Sequence, residues 1–283
     1  MLFQVLDNKK ECYAVFCGDE LYHYPNNLAL THSWNHTPHF DSEEIEYAQI
    51  WTSGQSLEDV CPDYLREDWS SIQATGRAFL NSFHEAKINL KDVCFYDLVP
   101  KKFLLDYCSI KNKITQHVFE NYERPDNYDF LLKLVKFTSD LEEKKLNIVT
   151  NSLDFSDSQT RKAYNKIHGV SHHVKYNPWG TVTGRLTVKK DSFPILTLNR
   201  GLRKAIEPRN DLFVELDFNA AEIRTLLALA GEPQPDRDIH TWLNQAVFDG
   251  KYDREQTKKK IFAWLYNPKA KNKKLSRYID KNE

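Results

Sequence analysis

The sequence predicts an α+β fold, and three observations carry this prediction. Short alternating segments separated by turns fill residues 1–60, and segments with apolar residues at i, i+3 and i+4 fill most of 62–150. From residue 161 onward, basic, aromatic and glycine-bearing loops lead into one alternating segment and two helical ones. With 283 residues, 41% of them hydrophobic, the chain can bury the core of one large or two ordinary domains.

The N-terminal elements follow from these periodicities. The segments "FQVLD", "CYAVFC" and "ELYHY" alternate as strands do, with turn residues in "CGDE" and "YPNN". Helical spacing appears in "PDYLREDW" and "RAFLNSFHEA", and again in "YDFLLKLVKFTSDLEEKKLNI", whose other face is charged. We therefore expect a small strand region followed by a helical one.

The C-terminal elements carry clearer boundary signals. "YNPWGTVTGRLTV" reads as loop or strand-turn sequence, and "RGLRKAIEP" as a short basic element. "LFVELD" predicts a strand, followed by a helix from Ala220. The last helix is expected to begin after an N-cap at Asp253 and to run to about Tyr266, before Pro268 ends it.

Several classes of protein are excluded by composition. No stretch approaches the roughly 18 apolar residues of a membrane-spanning helix, and the N-terminus lacks the pattern of a secretory signal. Five cysteines without a CxxC pair favour a reducing, cytoplasmic location over a disulfide framework or zinc site. We interpret His168, His172 and His173 as surface or core residues, because no cysteine or acid joins them at ligand spacing.

Charge is distributed in blocks. Residues 1–160 carry a net charge of −11, residues 161–210 carry +9, residues 211–250 carry −6, and residues 251–283 carry +7. A basic segment is usually a solvated face. Two basic segments on either side of an acidic one would also suit a polyanion lying beside bound metal.

Two carboxylates lie around the junction between the predicted strand and helix. Asp217 ends the strand, and Glu222 falls on the first turn of the helix. An aspartate at this position can hold a hard divalent cation, or it can cap the helix. Glu222 also suits the positive end of the helix dipole. Both interpretations remain open at this point.

The last predicted helix combines cations with aromatic residues on one stripe. Arg254, Lys258, Phe262 and Tyr266 recur every four residues. Such a stripe could hold a triphosphate at its N-terminal end and stack a base further along. The alternative is a basic amphipathic helix whose aromatic side chains belong to the core.

Taken in order, these segments resemble the polymerase core of family A DNA polymerases, the DNA polymerase I-like group. The sequence carries "TGRL", "LRKAIEP", "LDFNAAEIR", "DIH" and "RxxxKxxxFxxxY" over about residues 175–268. "DFNAAEIR" resembles motif A of that family, and "RxxxKxxxFxxxY" resembles its motif B. The resemblance implies a partial right-hand fold with thumb, part of the palm and the start of the fingers.

The resemblance also implies roles in metal and sugar recognition. Asp217 would bind two catalytic Mg²⁺ ions, and the backbone carbonyl of Phe218 would complete one coordination shell. Glu222 would lie under the sugar of the incoming deoxynucleoside triphosphate, near Tyr266, and would exclude a 2′-hydroxyl.

Further roles implied by the resemblance concern the nucleotide and the DNA. His240, Arg254 and Lys258 would contact the triphosphate, and Lys258 would donate a proton to the departing pyrophosphate. Phe262 would stack near the base and sugar, and Tyr266 would guard the templating position. Contacts with the primer–template DNA would come from Arg185, Arg203 and Lys204.

The expected organisation has four regions. These are an N-terminal α/β domain at 1–95, a thumb-like helical region at 96–175, a palm part with motif A at 176–250, and the start of the fingers at 251–283. The resemblance leaves two alternatives for the first region, a degenerate exonuclease-like domain or an unrelated one. An active exonuclease is not expected, because Asp7 in the first strand has no acid two residues later.

The sequence departs from the family pattern in three places. Ala220 and Ala221 replace a glutamine and a bulky apolar residue of motif A, and motif B is followed by Asn-Pro rather than glycine. Motif C, which would supply the second metal-binding carboxylate, is missing, since the sequence ends 17 residues after Tyr266 without a His-Asp pair. We therefore expect a split or truncated polymerase, of bacteriophage type and located in the host bacterial cytoplasm, completed by a second polypeptide.

Two other functional classes remain. One is a catalytically inactive DNA-binding accessory subunit that retains the polymerase fold. The other is a relative of single-subunit RNA polymerases, against which Glu222 in the sugar-screening position argues. No membrane partner is expected under any of these hypotheses.

Overall fold

The computed structural model describes residues 2–8, 12–23, 28–40, 44–90, 92–151, 153–267 and 269–278, without the side chains of residues 12, 13, 163 and 166. The predicted α+β class is confirmed. The chain divides into two compact units, Met1–Asn210 and Asp211–Glu283. The expected division at residues 95, 175 and 250 stays a prediction, as do the right-hand polymerase fold, the thumb and the exonuclease-like domain.

Strands occupy short parts of the first unit. They are β1 Phe3–Asp7, β2 Cys12–Cys17, β3 Glu20–Tyr22, β4 His32–Ser33, β5 Glu46–Tyr47, β6 Tyr176–Asn177 and β7 Thr187–Val188. Helices make up most of the regular structure. They are α1 Ala48–Trp51, α2 Arg66–Glu85, α3 Phe95–Leu98, α4 Lys101–Asn121, α5 Tyr128–Glu142, α6 Ser158–Ile167, α7 Arg200–Arg203, α8 Ala221–Leu229, α9 Ile239–Phe248, α10 Arg254–Tyr266 and α11 Lys273–Tyr278.

The strands predicted at the start of the chain are confirmed. β1, β2 and β3 form an antiparallel sheet in that order, with Val5 opposite Val15 and Val15 opposite Tyr22. Phe3 and Leu6 of β1 are buried on opposite faces of this sheet, each in a different hydrophobic cluster of the first unit, and Val5 is half-buried. Two further pairs complete the strand structure, parallel for β4 and β5 and antiparallel for β6 and β7.

The helices predicted between residues 62 and 150 are confirmed, except that the segment predicted as helical up to Ile148 leaves the helix after Glu142. α2, α4 and α5 are the long ones, and α4 buries Leu104, Cys108, Ile114 and Val118. These positions are separated by four, six and four residues, which places them on one face of the helix. None of the helices in the described residues combines the length and hydropathy needed to cross a membrane.

Four helices make up the regular structure of the second unit within its described residues. The apolar faces of α8, α9, α10 and α11 pack together around residues that include Leu227, Leu243, Ile261, Trp264 and Leu275. Residues 211–218 precede these helices and lie in no helix or strand. The strand predicted for "LFVELD" is therefore wrong. A strand needs a neighbouring strand to satisfy its backbone groups, and no other strand occurs in the described part of this unit.

Gly54 marks a tight approach in the first unit and gives a test of its packing. It has a φ of +82°, and an added Cβ would overlap the indole ring of Trp179. We expect Gly54→Ala to lower the free energy of unfolding by about 3 kcal/mol. The added methyl group would strain the left-handed backbone and would also overpack the space beside Trp179. Urea unfolding followed by circular dichroism measures this change.

Gly18 supplies the matched control for Gly54. Its φ is +58°, but an added Cβ would meet nothing within 4 Å. Gly18→Ala should therefore cost only the backbone strain, about 1 kcal/mol. If the two substitutions lowered the free energy of unfolding equally, Trp179 would not be in close contact with Gly54.

Candidate functional site

Helix α10 positions the predicted cationic and aromatic stripe. The helix begins at Arg254, and Asp253 is its N-cap, as predicted. The Asp253 carboxylate accepts a hydrogen bond from the Gln256 backbone N–H at 2.7 Å, and the Gln256 side chain accepts one from the Asp253 N–H at 3.3 Å. This reciprocal capping box fixes the first turn. Thr257, Ile261 and Trp264 face the core, which turns the stripe away from it.

The stripe itself remains accessible along its length. Arg254 and Tyr266 are exposed at its two ends, while Lys258 and Phe262 between them are half-buried. The Phe262 and Tyr266 ring centroids are 5.7 Å apart, and the Lys258 Nζ lies 5.8 Å from the Phe262 centroid. The alternative that both aromatic residues are core residues is not what the structure shows, because Tyr266 is exposed and Phe262 only flanks the core.

Glu222 and Tyr266 meet across two helices. The Tyr266 hydroxyl donates a hydrogen bond to a Glu222 carboxylate oxygen at 3.2 Å. Glu222 lies on the first turn of α8, and Tyr266 ends α10. The two residues that the resemblance places beside the sugar of the incoming nucleotide are therefore direct neighbours.

His240 lies behind the stripe, in the first turn of α9. It is only 3% exposed, and its ring packs edge-on against Phe262 with centroids 5.9 Å apart. Its buried Nδ1 makes no hydrogen bond within the part of the chain that the structure describes. Burial lowers the pKa of His240, with Arg254 and Lys258 adding to the effect and Asp238 opposing it. His240 is therefore neutral at pH 7, and its predicted contact with a triphosphate stays a prediction.

Asp238 is a residue to which the sequence analysis gave no role. Its Oδ2 accepts hydrogen bonds from Arg254 Nε at 3.2 Å and Nη2 at 3.0 Å, and from the Asn219 amide at 3.1 Å. Its Oδ1 caps α9 by accepting from the Thr241 backbone N–H at 2.9 Å. Asp238 thus joins the N-termini of α9 and α10 to the residues that precede α8. The only signal in the sequence was an aspartate directly before a helical segment.

The hydrogen bonds also set the ionisation of Asp238. Partial burial acts to raise the pKa of this carboxyl, but the bonds from Arg254, Thr241 and Asn219 outweigh it and hold the pKa well below its usual range. Asp238 is therefore charged at neutral pH. Arg254 is in turn held by Asp238 and, through Nη1 at 3.0 Å, by Glu255.

Asp217 and Phe218 lie in the exposed, irregular segment before α8. Asp217 is not the N-cap of that helix, because Ala220 occupies the N-cap position. Across the described residues there is no group of three or more His, Cys, Asp or Glu side chains that could hold a metal ion. Mg²⁺ prefers near-octahedral coordination by oxygen, so Asp217 and a single carbonyl do not form a magnesium site by themselves.

The predicted DNA-contacting residues belong to the first unit. Arg185 lies in the exposed loop between β6 and β7, and its carbonyl accepts a hydrogen bond from Thr181 Oγ1 at 2.9 Å. Arg203 in α7 is exposed and donates from Nε to the Leu198 carbonyl at 3.1 Å. Lys204 follows α7 and is also exposed. Their contact with DNA stays a prediction.

The N-cap of α8 is strained. Ala220 has φ +53° and ψ +58°, a left-handed conformation that costs a non-glycine residue about 1–2 kcal/mol. We expect Ala220→Gly to be neutral or to stabilise the protein by up to about 1 kcal/mol. Ala220→Val should destabilise it by more than about 1 kcal/mol, since a β-branched residue is poorly tolerated there. Thermal unfolding of both variants checks this, and a more stable valine variant would contradict the assigned backbone conformation.

Comparisons of this chain with family models, with curated proteins and with solved structures gave no match.

Proposed function

We propose that this chain is part of a template-directed DNA polymerase that adds deoxynucleotides to a primer 3′ end by phosphoryl transfer, with a second polypeptide completing the active site. The observation that carries the proposal is the arrangement along α10. Residues predicted to hold one nucleotide come from three separate helices, and the structure brings them into one row of contacts.

The charges at the N-terminal end of the row suit a triphosphate. Arg254 and Lys258 are one helical turn apart, near the positive end of the helix dipole. Phosphoryl transfer depends mainly on positioning and on cations that stabilise developing negative charge. Arg254 presents a planar fork of donors for phosphate oxygens, and Lys258 supplies a second cation that can also donate a proton.

The other end of the row suits a sugar and a base. Phe262 offers a half-buried ring, and Tyr266 is held in place by its hydrogen bond to Glu222. A carboxylate fixed in this way would fill the space needed by a 2′-hydroxyl and would favour deoxynucleotides. Asp238 holds Arg254 until a phosphate competes for the guanidinium, so binding exchanges one anionic partner for another.

The proposed cofactor is Mg²⁺. Asp217 and the Phe218 carbonyl are the ligands that this chain offers, and the remaining ligands would come from the second polypeptide. When bound, the ions would lower the pKa of the primer 3′-hydroxyl and stabilise the leaving oxygen.

Nucleotide binding by the full chain tests the proposal directly. A fluorescent deoxynucleoside triphosphate is titrated with the wild-type chain, with Lys258→Ala and with Lys259→Ala. Lys259 is an exposed cation of equal charge one position further along the same helix, so it is the matched control. We expect Lys258→Ala to weaken binding about tenfold, or about 1.4 kcal/mol, and Lys259→Ala to leave it within about twofold. Equal effects of the two substitutions would overturn the assignment of the stripe.

Primer extension tests the activity itself. The chain is mixed with the product of the neighbouring gene, primed template, deoxynucleotides and Mg²⁺, and extension is followed on a gel. Extension in the mixture, but with neither protein alone, is the expected result.

A DNA-binding accessory subunit without catalytic activity is the second candidate function. The absence of a multi-residue metal-ligand group from the described residues favours it. Duplex binding that weakens steeply with salt, without triphosphate binding, would support this alternative.

A further inference from the structure

The segment before α8 exposes an unusual amount of apolar surface. Leu212, Phe213, Val214, Leu216 and Phe218 are each between 67% and 90% exposed. Single exposed apolar residues are normal on protein surfaces, but a continuous run of large ones marks an interaction site. These five fall within seven consecutive residues.

The backbone of this segment is also unpaired. No backbone hydrogen bond involves residues 211–218 within the described ranges, and none of these residues has a positive φ. The segment holds two leucines, two phenylalanines and one valine, and from Val214 onward apolar residues alternate with acids, the pattern of a half-buried strand. A segment with this pattern and open N–H and C=O groups is a template for strand addition.

If the segment formed a strand, one of its faces would be apolar and the other mainly acidic. Leu212, Val214, Leu216 and Phe218 would lie on one face, because side chains alternate along a strand. Glu215 and Asp217 would lie on the other face together with Phe213. A partner strand must therefore match one apolar face and one acidic face.

Pairing with a second copy of this chain would place acidic residues opposite acidic residues. Antiparallel registers that keep apolar residues together place Glu215 opposite Glu215, or Glu215 opposite Asp217, or Asp211 opposite Asp217. A parallel in-register pair places Glu215 and Asp217 opposite themselves. Like charges directly opposite each other destabilise a strand pair.

We propose that residues 212–218 dock a β-strand of a different polypeptide, one that is apolar on one face and carries a lysine or arginine opposite Glu215. The strand pair would satisfy the open backbone groups, cover the apolar run and neutralise the central carboxylate. This inference goes beyond the proposed function, since it concerns assembly alone and needs no nucleotide chemistry.

Hydrogen exchange on the full chain tests this docking strand with synthetic peptides. The probe is an acetylated and amidated heptapeptide, Lys-Val-Lys-Ile-Lys-Val-Lys. One control has glutamate in place of lysine, and the other keeps the lysines but has proline in place of isoleucine. We expect the lysine peptide to slow exchange of the 212–218 amides at least about tenfold, and neither control to do so. The proline control separates strand pairing from simple charge attraction.

The second part of the experiment uses variants of the chain with the same peptides. Glu215→Lys should reverse the preference, so that the glutamate peptide gives the protection. Asp236→Lys is the control, an exposed acid outside the segment that receives the same change of charge, and it should leave the preference for lysine intact. Equal protection by all peptides, no protection by any, or protection that rises with chain concentration alone would each overturn the proposal. The triphosphate titration of Lys258→Ala does not involve this segment, so the two proposals fail separately.

Discussion

Replacing Asp217 with alanine is expected to abolish primer extension by the completed polymerase, with a loss of at least about a thousandfold. Asp217 is an exposed carboxylate, and the proposed function makes it a ligand of a divalent cation. A metal ion at a transferring phosphoryl group supplies several kcal/mol of transition-state stabilisation, and each 1.4 kcal/mol is worth about tenfold in rate. Single-turnover extension by the chain mixed with its second polypeptide measures the loss.

Asp211→Ala is the matched control for this loss. Asp211 is another exposed carboxylate in the same irregular segment, so its removal makes the same change in charge. We expect extension by Asp211→Ala to stay within about twofold and DNA binding to be preserved in both variants, because removing a negative charge does not weaken attraction to a polyanion. Equal loss of extension in the two variants, or parallel loss of DNA binding with Asp217→Ala, would contradict the metal-ligand role.

Replacing Trp264 with alanine is expected to have the largest effect on folding. Trp264 is buried in the core of the second unit, and its Nε1 donates a hydrogen bond to Ser276 Oγ at 3.3 Å. Removing a buried tryptophan costs about 3–5 kcal/mol, a large part of the roughly 5–15 kcal/mol that stabilises a domain. Urea unfolding followed by circular dichroism measures the change.

Two further variants separate packing from the hydrogen bond. Ser276→Ala removes only the partner of the indole N–H and should cost about 1 kcal/mol. Trp264→Phe retains most of the apolar volume and should fall between the other two. A cost below about 1 kcal/mol for Trp264→Ala would show that this core does not hold the stripe in place.

Elements with local signals were predictable from the sequence. Helix α10 begins and ends where the spacing predicted, because the N-cap Asp253, the capping glutamine and the apolar periodicity all lie within the element. The three N-terminal strands were likewise predictable, since each is adjacent in sequence to its partner.

Features that depend on distant or external partners were not predictable. Residues 212–217 have strand composition, yet whether they form a strand depends on a neighbour that their own pattern cannot specify. The link from Asp238 to Arg254 and Asn219 was missed because it joins three segments that meet only after the helices pack. Glu222 and Tyr266 were placed together by resemblance, and the physical basis of their contact is the common apolar core to which both α8 and α10 contribute.

The bond between Asp238 and Arg254 makes this end of the site insensitive to acidification. The pKa of Asp238 is depressed in the folded protein, so the stability it contributes is fully present above the unfolded value of about 3.9. That stability is lost only as the pH falls through the still lower folded value. Protonation of Asp238 therefore does not free the Arg254 guanidinium in the physiological pH range, whereas a competing anion would.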